Sequence, residues 1–290
     1  MKNQTVQEIS RWKIKMYDEM TWPEVETAVR SNAHIMVTVG ATEQHGEHLP
    51  LGTDNFQGIE IARRSAERLA KEKILLIPGP VIPFGLRPFL TETPKDYPGT
   101  ISLSSNTLKA LLEEVCLELV RTGFRTIYLL QGHAENDACI QIVAKEVTEK
   151  TQAHVLSINW LIGIRSRYKG VLASTRPQGH GGEGETARML ATVPQLVKMD
   201  LARPYHPRVS ENKIEADILP YLGGAIGRYR PPEGMFKGLK GGITGDPQLA
   251  TAETGDKVYG IITDWVVQIV KNERAQAAKN ETKVRKKKRR

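Results

Sequence analysis

Apolar positions along this chain follow two alternating patterns. Short aliphatic, partly β-branched runs (Ile35-Met36-Val37-Thr38-Val39, Ile74-Leu75-Leu76-Ile77, Ile127-Tyr128-Leu129-Leu130 and residues 154–160) have the length of buried strands. The first stops at Gly40 and the second at Pro78-Gly79-Pro80. Between them lie stripes at helical spacing. Trp22, Val25 and Val29 predict a short helix over residues 18–30. Phe56, Ile59, Ala62, Ala66 and Leu69 predict one running to about Lys71, with Thr53 or Asp54 as its N-cap. Leu108, Leu111, Leu112, Val115 and Leu119 predict a helix ended near Gly123, and Ile140, Val143, Ala144 and Val147 one capped by Asn136 or Asp137. A helix opens at about Thr186, and Val258, Ile261, Ile262, Trp265, Ile269 and Val270 mark the last one.

This alternation of strand and helix predicts an α/β fold with a largely parallel sheet. Its right-handed crossovers gather the strand C-termini on one edge. Residues 83–106 and 203–248 are rich in Gly and Pro and show no period. A loop as long as the first is expected to cover a site or reach a neighbour. No repeat or linker interrupts the pattern, so residues 1–275 are expected to form a single α/β domain.

Composition changes this picture little: 40% hydrophobic and 26% charged in 290 residues is ordinary for a globular protein with a sizeable core. No apolar run reaches the roughly 20 residues needed to span a bilayer. Met1-Lys2-Asn3-Gln4 lacks the apolar segment of a secretory signal. Cys116 and Cys139 are too few for a disulfide framework and fall in helical patterns, as small buried hydrophobes do. A cytoplasmic location is the expectation, with no membrane partner.

The net charge of +8 suggests nucleic acid until it is placed along the chain. Residues 283–290 hold seven basic side chains, and without them 34 basic residues face 33 acidic ones. The excess belongs to a terminal tail, residues 276–290, which is expected to be disordered and solvated. A polyanion-binding arm is the sharper alternative. Nucleic acid is therefore not the expected partner.

Chemistry collects after the strands, where open α/β sheets bind ligands. After the first strand come Glu43 and His45, two apart and so on one side of extended chain, then Asp54 at the start of a helix. After the third strand, Gln131-Gly132-His133-Ala134-Glu135-Asn136 repeats the imidazole–carboxylate pair, with Gly132 permitting a sharp exit. Two histidines and three carboxylates on one edge are the inventory for two divalent cations about 3.5–4 Å apart sharing a carboxylate and a water. Asp54, arriving from a separate segment with two oxygens, is the natural bridge. A third cluster, Gly179-His180-Gly181-Gly182-Glu183-Gly184-Glu185-Thr186, follows the fourth strand. His180 suits proton transfer at neutral pH. Glu185 suits either orienting an imidazole or completing a coordination shell.

Taken singly, each residue has a plainer reading. Asp54 can be a helix cap, Glu135 a first-turn acid, and a lone His133, His45 or His180 an ordinary histidine. It is the gathering of three His–carboxylate clusters behind strands of one pattern that points to metal. His34, His48, His154 and His206 lack such company, His48 being the least secure because it lies inside the first motif.

These motifs resemble the creatininase (creatinine amidohydrolase) family: Glu43-Gln44-His45-Gly46-x-His48-Leu49-Pro50-Leu51-x-x-Asp54, Gly132-His133-x-Glu135-Asn136 and His180-Gly181-Gly182-x-Gly184-Glu185-Thr186. Pro98-Gly99-Thr100-Ile101-Ser102-Leu103 and Gly245-Asp246-Pro247-x-x-Ala250-Thr251 also look like family landmarks, and the likeness spans roughly residues 15–270. It implies a three-layer α/β/α sandwich, often a homohexamer, with a Zn²⁺ or Mn²⁺ pair. By that analogy Glu43, Asp54 and His133 hold one ion, and His45, Asp54 and Glu135 the other. His180 moves protons at the scissile bond with Glu185 close by.

The implied reaction is attack of a metal-bridging hydroxide on a carbonyl, opening a cyclic amide or related C–N bond of a small polar substrate. The alternative is C–C hydrolysis of a diketo-inositol (3-dehydro-scyllo-inosose) ring. A weaker one is a non-catalytic, metal-stabilised binding protein. Substrate choice is expected to differ from creatinine. Arg176 stands where creatinine hydrolases carry a ring-enclosing tryptophan, Ala134 where they carry a tyrosine, and the longer 83–97 loop brings Arg87 and Lys95. An arginine and a wider pocket suit an oxygen-rich or anionic substrate.

Overall fold

The computed structural model describes residues 14–87, 97–168, 170–176, 178–206 and 240–287, with side chains of the last helix described to residue 277. Its elements are α1 (Trp22–Arg30), β1 (His34–Val39), α2 (Thr53–Lys71), β2 (Leu76–Ile82), β3 (Gly85–Leu86), β4 (Ser102–Leu103) and α3 (Ser105–Thr122). There follow β5 (Thr126–Gln131), α4 (Asp137–Thr151), β6 (His154–Ile158), α5 (Trp160–Gly163), α6 (Arg165–Tyr168), α7 (Glu183–Thr192) and α8 (Ala252–Lys287).

β1 is buried along its whole length, as a strand covered on both faces must be. It pairs in parallel with β2 on one side and β5 on the other, and β5 pairs with β6, giving the order β2-β1-β5-β6. Alternation sorts the side chains. Ile35, Val37, Val39, Ile127 and Leu129 join one core with Leu108, Leu112 and Leu119 of α3 and Ile140, Val143 and Val147 of α4. Met36, Tyr128 and Leu130 join the other with Ile61, Ala66 and Leu69 of α2 and Val258, Ile262 and Val266 of α8. The sheet lies between two helical layers, a three-layer α/β/α sandwich. Among the described residues no helix is long and apolar enough to cross a membrane.

Several boundaries differ from the sequence expectation. β2 does not stop at Pro78-Gly79-Pro80 but runs through it to Ile82. β2 is an edge strand, where a missing N–H is tolerated, and its register against β1 slips between Met36 and Thr38. The expected helix over 18–30 divides into a 3₁₀ turn, Tyr17–Glu19, and α1. Glu24 Oε2 accepts from Thr21 N–H at 2.8 Å and so starts the helix afresh there. Neither Thr53 nor Asp54 caps α2, which follows Gly52; Thr53 Oγ1 donates to Pro50 O at 2.7 Å instead, and the Asp54 carboxylate is free to face the site. Nor does Asn136 cap α4 with its side chain, which is spent elsewhere. α7 opens at Glu183, three residues earlier than expected. The terminal segment, expected to be disordered from residue 276, continues α8 as helical backbone to Lys287, its Ala, Glu, Lys and Arg being good helix formers.

Candidate metal centre

Four chain segments meet beyond the C-terminal ends of β1 and β5. The exit of β1 brings Glu43, Gln44 and His45, and the first turn of α2 brings Asp54. The exit of β5 brings His133 and Glu135, and the opening of α7 brings His180 and Glu185. The turn after β5 packs hard on its neighbours: a Cβ at Gly132 would stand 3.0 Å from Gly40 Cα and 3.1 Å from Asp54 O. The Pro98–Leu103 landmark runs alongside, Ile101 N–H donating to Thr42 O at 2.9 Å and Thr100 Oγ1 accepting from Gln44 N–H at 3.0 Å.

Asp54 is the hub. Its Oδ1 lies 3.2 Å from His45 Nε2 and its Oδ2 3.0 Å from His133 Nδ1. Glu43 Oε2 is also 3.0 Å from His133 Nδ1, an imidazole already bonded to Asp54, which leaves this buried oxygen without a hydrogen bond of its own. Glu185 Oε2 is 3.7 Å from His45 Nε2 and accepts from Gly181 N–H at 2.7 Å. Gly181 takes φ +60°, and a Cβ there would meet His45 O at 2.9 Å, which is why glycine holds this position. Both imidazoles facing Asp54 have their other nitrogen engaged: His45 Nδ1 donates to Glu43 O at 3.0 Å and His133 Nε2 to Leu86 O at 3.1 Å. Such bonds fix the tautomer of the neutral rings, so that a cation displacing the cluster's protons would meet one nitrogen lone pair from each ring.

Among the described residues three groups have donor atoms close enough to hold one cation: Glu43–Asp54–His133, His45–Asp54–Glu185 and Glu43–His45–His180. The first is the set the family likeness implies. The second brings Glu185 beside His45 and Asp54, where the family likeness implies Glu135. Glu135 Oε2 instead sits 3.2 Å from His133 Nε2, on the far side of that ring from Asp54. His180 stacks on His45 with ring centroids 4.2 Å apart. Its Nε2 is 2.6 Å from Gln44 O, 3.1 Å from Gln44 Nε2 and 3.4 Å from Glu43 Oε1. Two acceptors, one of them nearest, assign the proton to Nε2.

The electrostatics are those of a cluster short of positive charge. Burial works against a charged His45, yet Asp54, then Glu185 and Glu43, outweigh it and push His45 up to about 10. Burial likewise opposes a charged His133, and Glu135, Glu43 and Asp54 raise it well above the ordinary value. Burial alone would raise Asp54 and Glu43, but the surrounding imidazoles hold both carboxyls below the usual range. Without a cation the cluster keeps protons in its place.

Arg176 and Arg87 are exposed and Ala134 half-buried, while Lys95 lies outside the described residues. Of the histidines set apart, His48 is buried with Nε2 2.8 Å from Thr186 Oγ1. His206 has a partner after all, Asp246 Oδ1 at 2.9 Å. Asp246 Oδ2 also accepts from Ser174 Oγ at 2.6 Å and Gln178 Nε2 at 3.0 Å, tying the Gly-Asp-Pro landmark to the loop that carries Arg176 and His180. Sequence reading gave no role to Gln44, whose side chain reaches Gly242 O at 2.9 Å, or to Arg188. The available signals were Gln44's place between two ligand candidates and a charge set in the apolar stretch Ala187–Met189–Leu190.

A three-layer α/β/α protein whose sheet edge gathers imidazoles and carboxylates around one shared aspartate defines the class of a metal-dependent hydrolase. Residues 18–270 match the model of the creatininase family, described as creatinine amidohydrolase. The chain belongs to the creatininase family. It is similar to creatinine amidohydrolase of Pseudomonas putida, 26% identical over 269 residues covering 88% of this chain and 95% of that protein. It is also similar to 3-dehydro-scyllo-inosose hydrolase of Thermotoga maritima, 25% identical over 278 residues covering 88% and 82%. A crystal structure of creatinine amidohydrolase shares the fold with a TM-score of 0.73 at 24% identity, over 90% of this chain and 98% of that one.

Proposed function

We propose that the chain hydrolyses a bond at the carbonyl of a small polar substrate, using a pair of divalent cations held on either side of Asp54. The first expectation is a C–N bond, as in a cyclic amide. One observation carries the reading: the two oxygens of Asp54 face two different imidazoles, at 3.2 and 3.0 Å, so that one carboxylate belongs to two cation-competent groups. The donors fit divalent ions in chemistry, being neutral-capable imidazoles and carboxylates. They fit in deficit as well, since buried Glu43 Oε2 shares His133 with Asp54 and has no hydrogen bond of its own, where a cation would satisfy it. Zinc or manganese is the expected occupant, in keeping with a Zn-Zn type creatininase and a manganese creatininase that share the fold.

Glu43, Asp54 and His133 would hold one ion, and His45, Asp54 and Glu185 the other, with Glu135 bracing His133 from behind. Such ions supply a water made acidic near neutral pH and an electrophile for the carbonyl oxygen. The chain's own residues do the rest. Gln44 O and the stacked His45 ring fix His180 at the edge of the cluster, where its imidazole can carry a proton to the departing atom. Exposed Arg176, four residues before His180, selects oxygen-rich or anionic groups at the mouth.

A second reading, C–C hydrolysis of a diketo-inositol ring, needs the same electrophile and draws support from Arg176 and from the likeness to the Thermotoga relative. The homohexamer implied by the family stands as a further part of the proposal, tested by light scattering on the eluting protein. A screen of the cation-loaded protein against cyclic amides, formamides and inososes, read by mass spectrometry, decides the substrate class. Turnover unaffected by stripping the cations would defeat the mechanism.

A further inference from the structure

Arg188 is a fully buried side chain, 2% exposed, and lies outside the set of donors described above. Burying a guanidinium is costly unless its donors and charge are answered. Its donors are answered by neutral groups: Nε donates to Gln57 Oε1 at 2.7 Å and Nη1 to Tyr168 Oη at 3.1 Å. Its plane lies over Trp160, 4.8 Å from that ring's centroid. Its charge is answered elsewhere. Among the described residues the carboxylate paired with it is Glu185, with Oε1 4.0 Å from Nη2. That is too long for a hydrogen bond but close for two charges largely shielded from water.

The arrangement leaves Glu185 with a front and a back. Oε2 faces His45 and is held by Gly181 N–H; Oε1 faces Arg188. Gln57 closes the circuit, since its Nε2 donates to the Glu185 carbonyl at 3.3 Å while its Oε1 accepts from Arg188. Room for this cradle is written into the third motif: a Cβ at Gly184 would lie 1.7 Å from Tyr168 Oη, so only glycine lets Tyr168 reach Arg188. Three separate elements, α2, α5 and α6, thus converge to hold one cation behind one carboxylate.

We infer that Arg188 is a positioning residue that, through Glu185, sets the affinity of the cation on the His45 side of Asp54. It holds Oε1 back so that Glu185 presents a single oxygen to the centre. This rests on the two-cation reading above.

Titration of Mn²⁺ into cation-stripped protein by calorimetry tests it. Wild type should show two binding events. R188M should weaken one by about 10–100-fold, the usual effect of losing a partner behind a ligand, and leave the other within about twofold. R188K, which keeps the charge but not the Nε bond to Gln57, should recover part of the loss. In an E185Q background R188M should add little further, the signature of two residues acting as one unit. If R188M does not fold, the same cycle is run with R188K. A purely structural role would lower the melting temperature without separating the two events. Both events unchanged, both weakened alike, or losses that simply add in the cycle would overturn the inference. Wild type taking up fewer than two cations would overturn the pairing itself and the inference with it.

Discussion

Asn136 offers a stringent test of how the centre is braced. The side chain is completely buried. Nδ2 donates to Gly40 O at 2.9 Å and to Val39 O at 3.2 Å, and Oδ1 accepts from Leu86 N–H at 2.9 Å. One residue therefore pins the end of β1, the short strand β3 and the start of α4 together. Val39 O is also served by Gly132 N–H at 2.8 Å, so N136A leaves it satisfied. The groups orphaned are Gly40 O and Leu86 N–H. At about 1–3 kcal/mol for each buried group left unpaired, less whatever entering water restores, the loss is about 2–4 kcal/mol. At about 2–4 °C per kcal/mol for a chain near this size, the melting temperature should fall by roughly 4–15 °C.

Urea unfolding of the cation-stripped protein is the suitable assay, because bound ions would mask the change by mass action. N136D keeps an acceptor for Leu86 but turns an oxygen toward Gly40 O, so its deficit should shrink as the pH is lowered and the carboxyl can donate. A loss below about 0.5 kcal/mol for N136A, the range of ordinary surface changes, would refute the bracing role. Because His133 Nε2 donates to Leu86 O, the same variant should weaken cation binding by Glu43, Asp54 and His133.

Two further outcomes are expected. His45 is raised to about 10 from an unfolded value of 6.5, so its contribution to the cation-free fold is full below pH 6.5 and lost as pH climbs through 10; thermal melts should fall over that window, and H45Q should flatten the fall, an unchanged slope counting against the charge assignment. G184A should destabilise by about 1–3 kcal/mol despite the better helix propensity of alanine, because Tyr168 must leave Arg188; in a Y168F background, where the clashing oxygen is gone, the cost should drop, and an equal cost there would contradict the cradle.

Much of this was legible in the residues, and the reasons are physical. Alternating Ile35, Met36 and Val37 could only be a strand buried on both faces, and the helical stripes left no other layer for them to meet. The ligand candidates were visible because each follows a strand end, where backbone turns outward and polar groups collect. The proline-bearing half of β2 was hidden because local chemistry cannot tell an edge strand from a turn. That Glu185 rather than Glu135 lies within cation-holding distance of His45 and Asp54 was hidden, because carboxylates two and five residues after a histidine are told apart only by how the backbone bends between them. Arg188 showed only as a charge in an apolar stretch; what it does depends on Gln57, Trp160 and Tyr168, which are distant in sequence.

The central claim is that Asp54 serves two cations at once, and counting ions in wild type and D54A by inductively coupled plasma mass spectrometry tests it most directly. Wild type loaded and desalted should carry two equivalents per chain, and D54A should lose tight binding of both. D54A that still holds two equivalents, with full hydrolytic turnover, would contradict it.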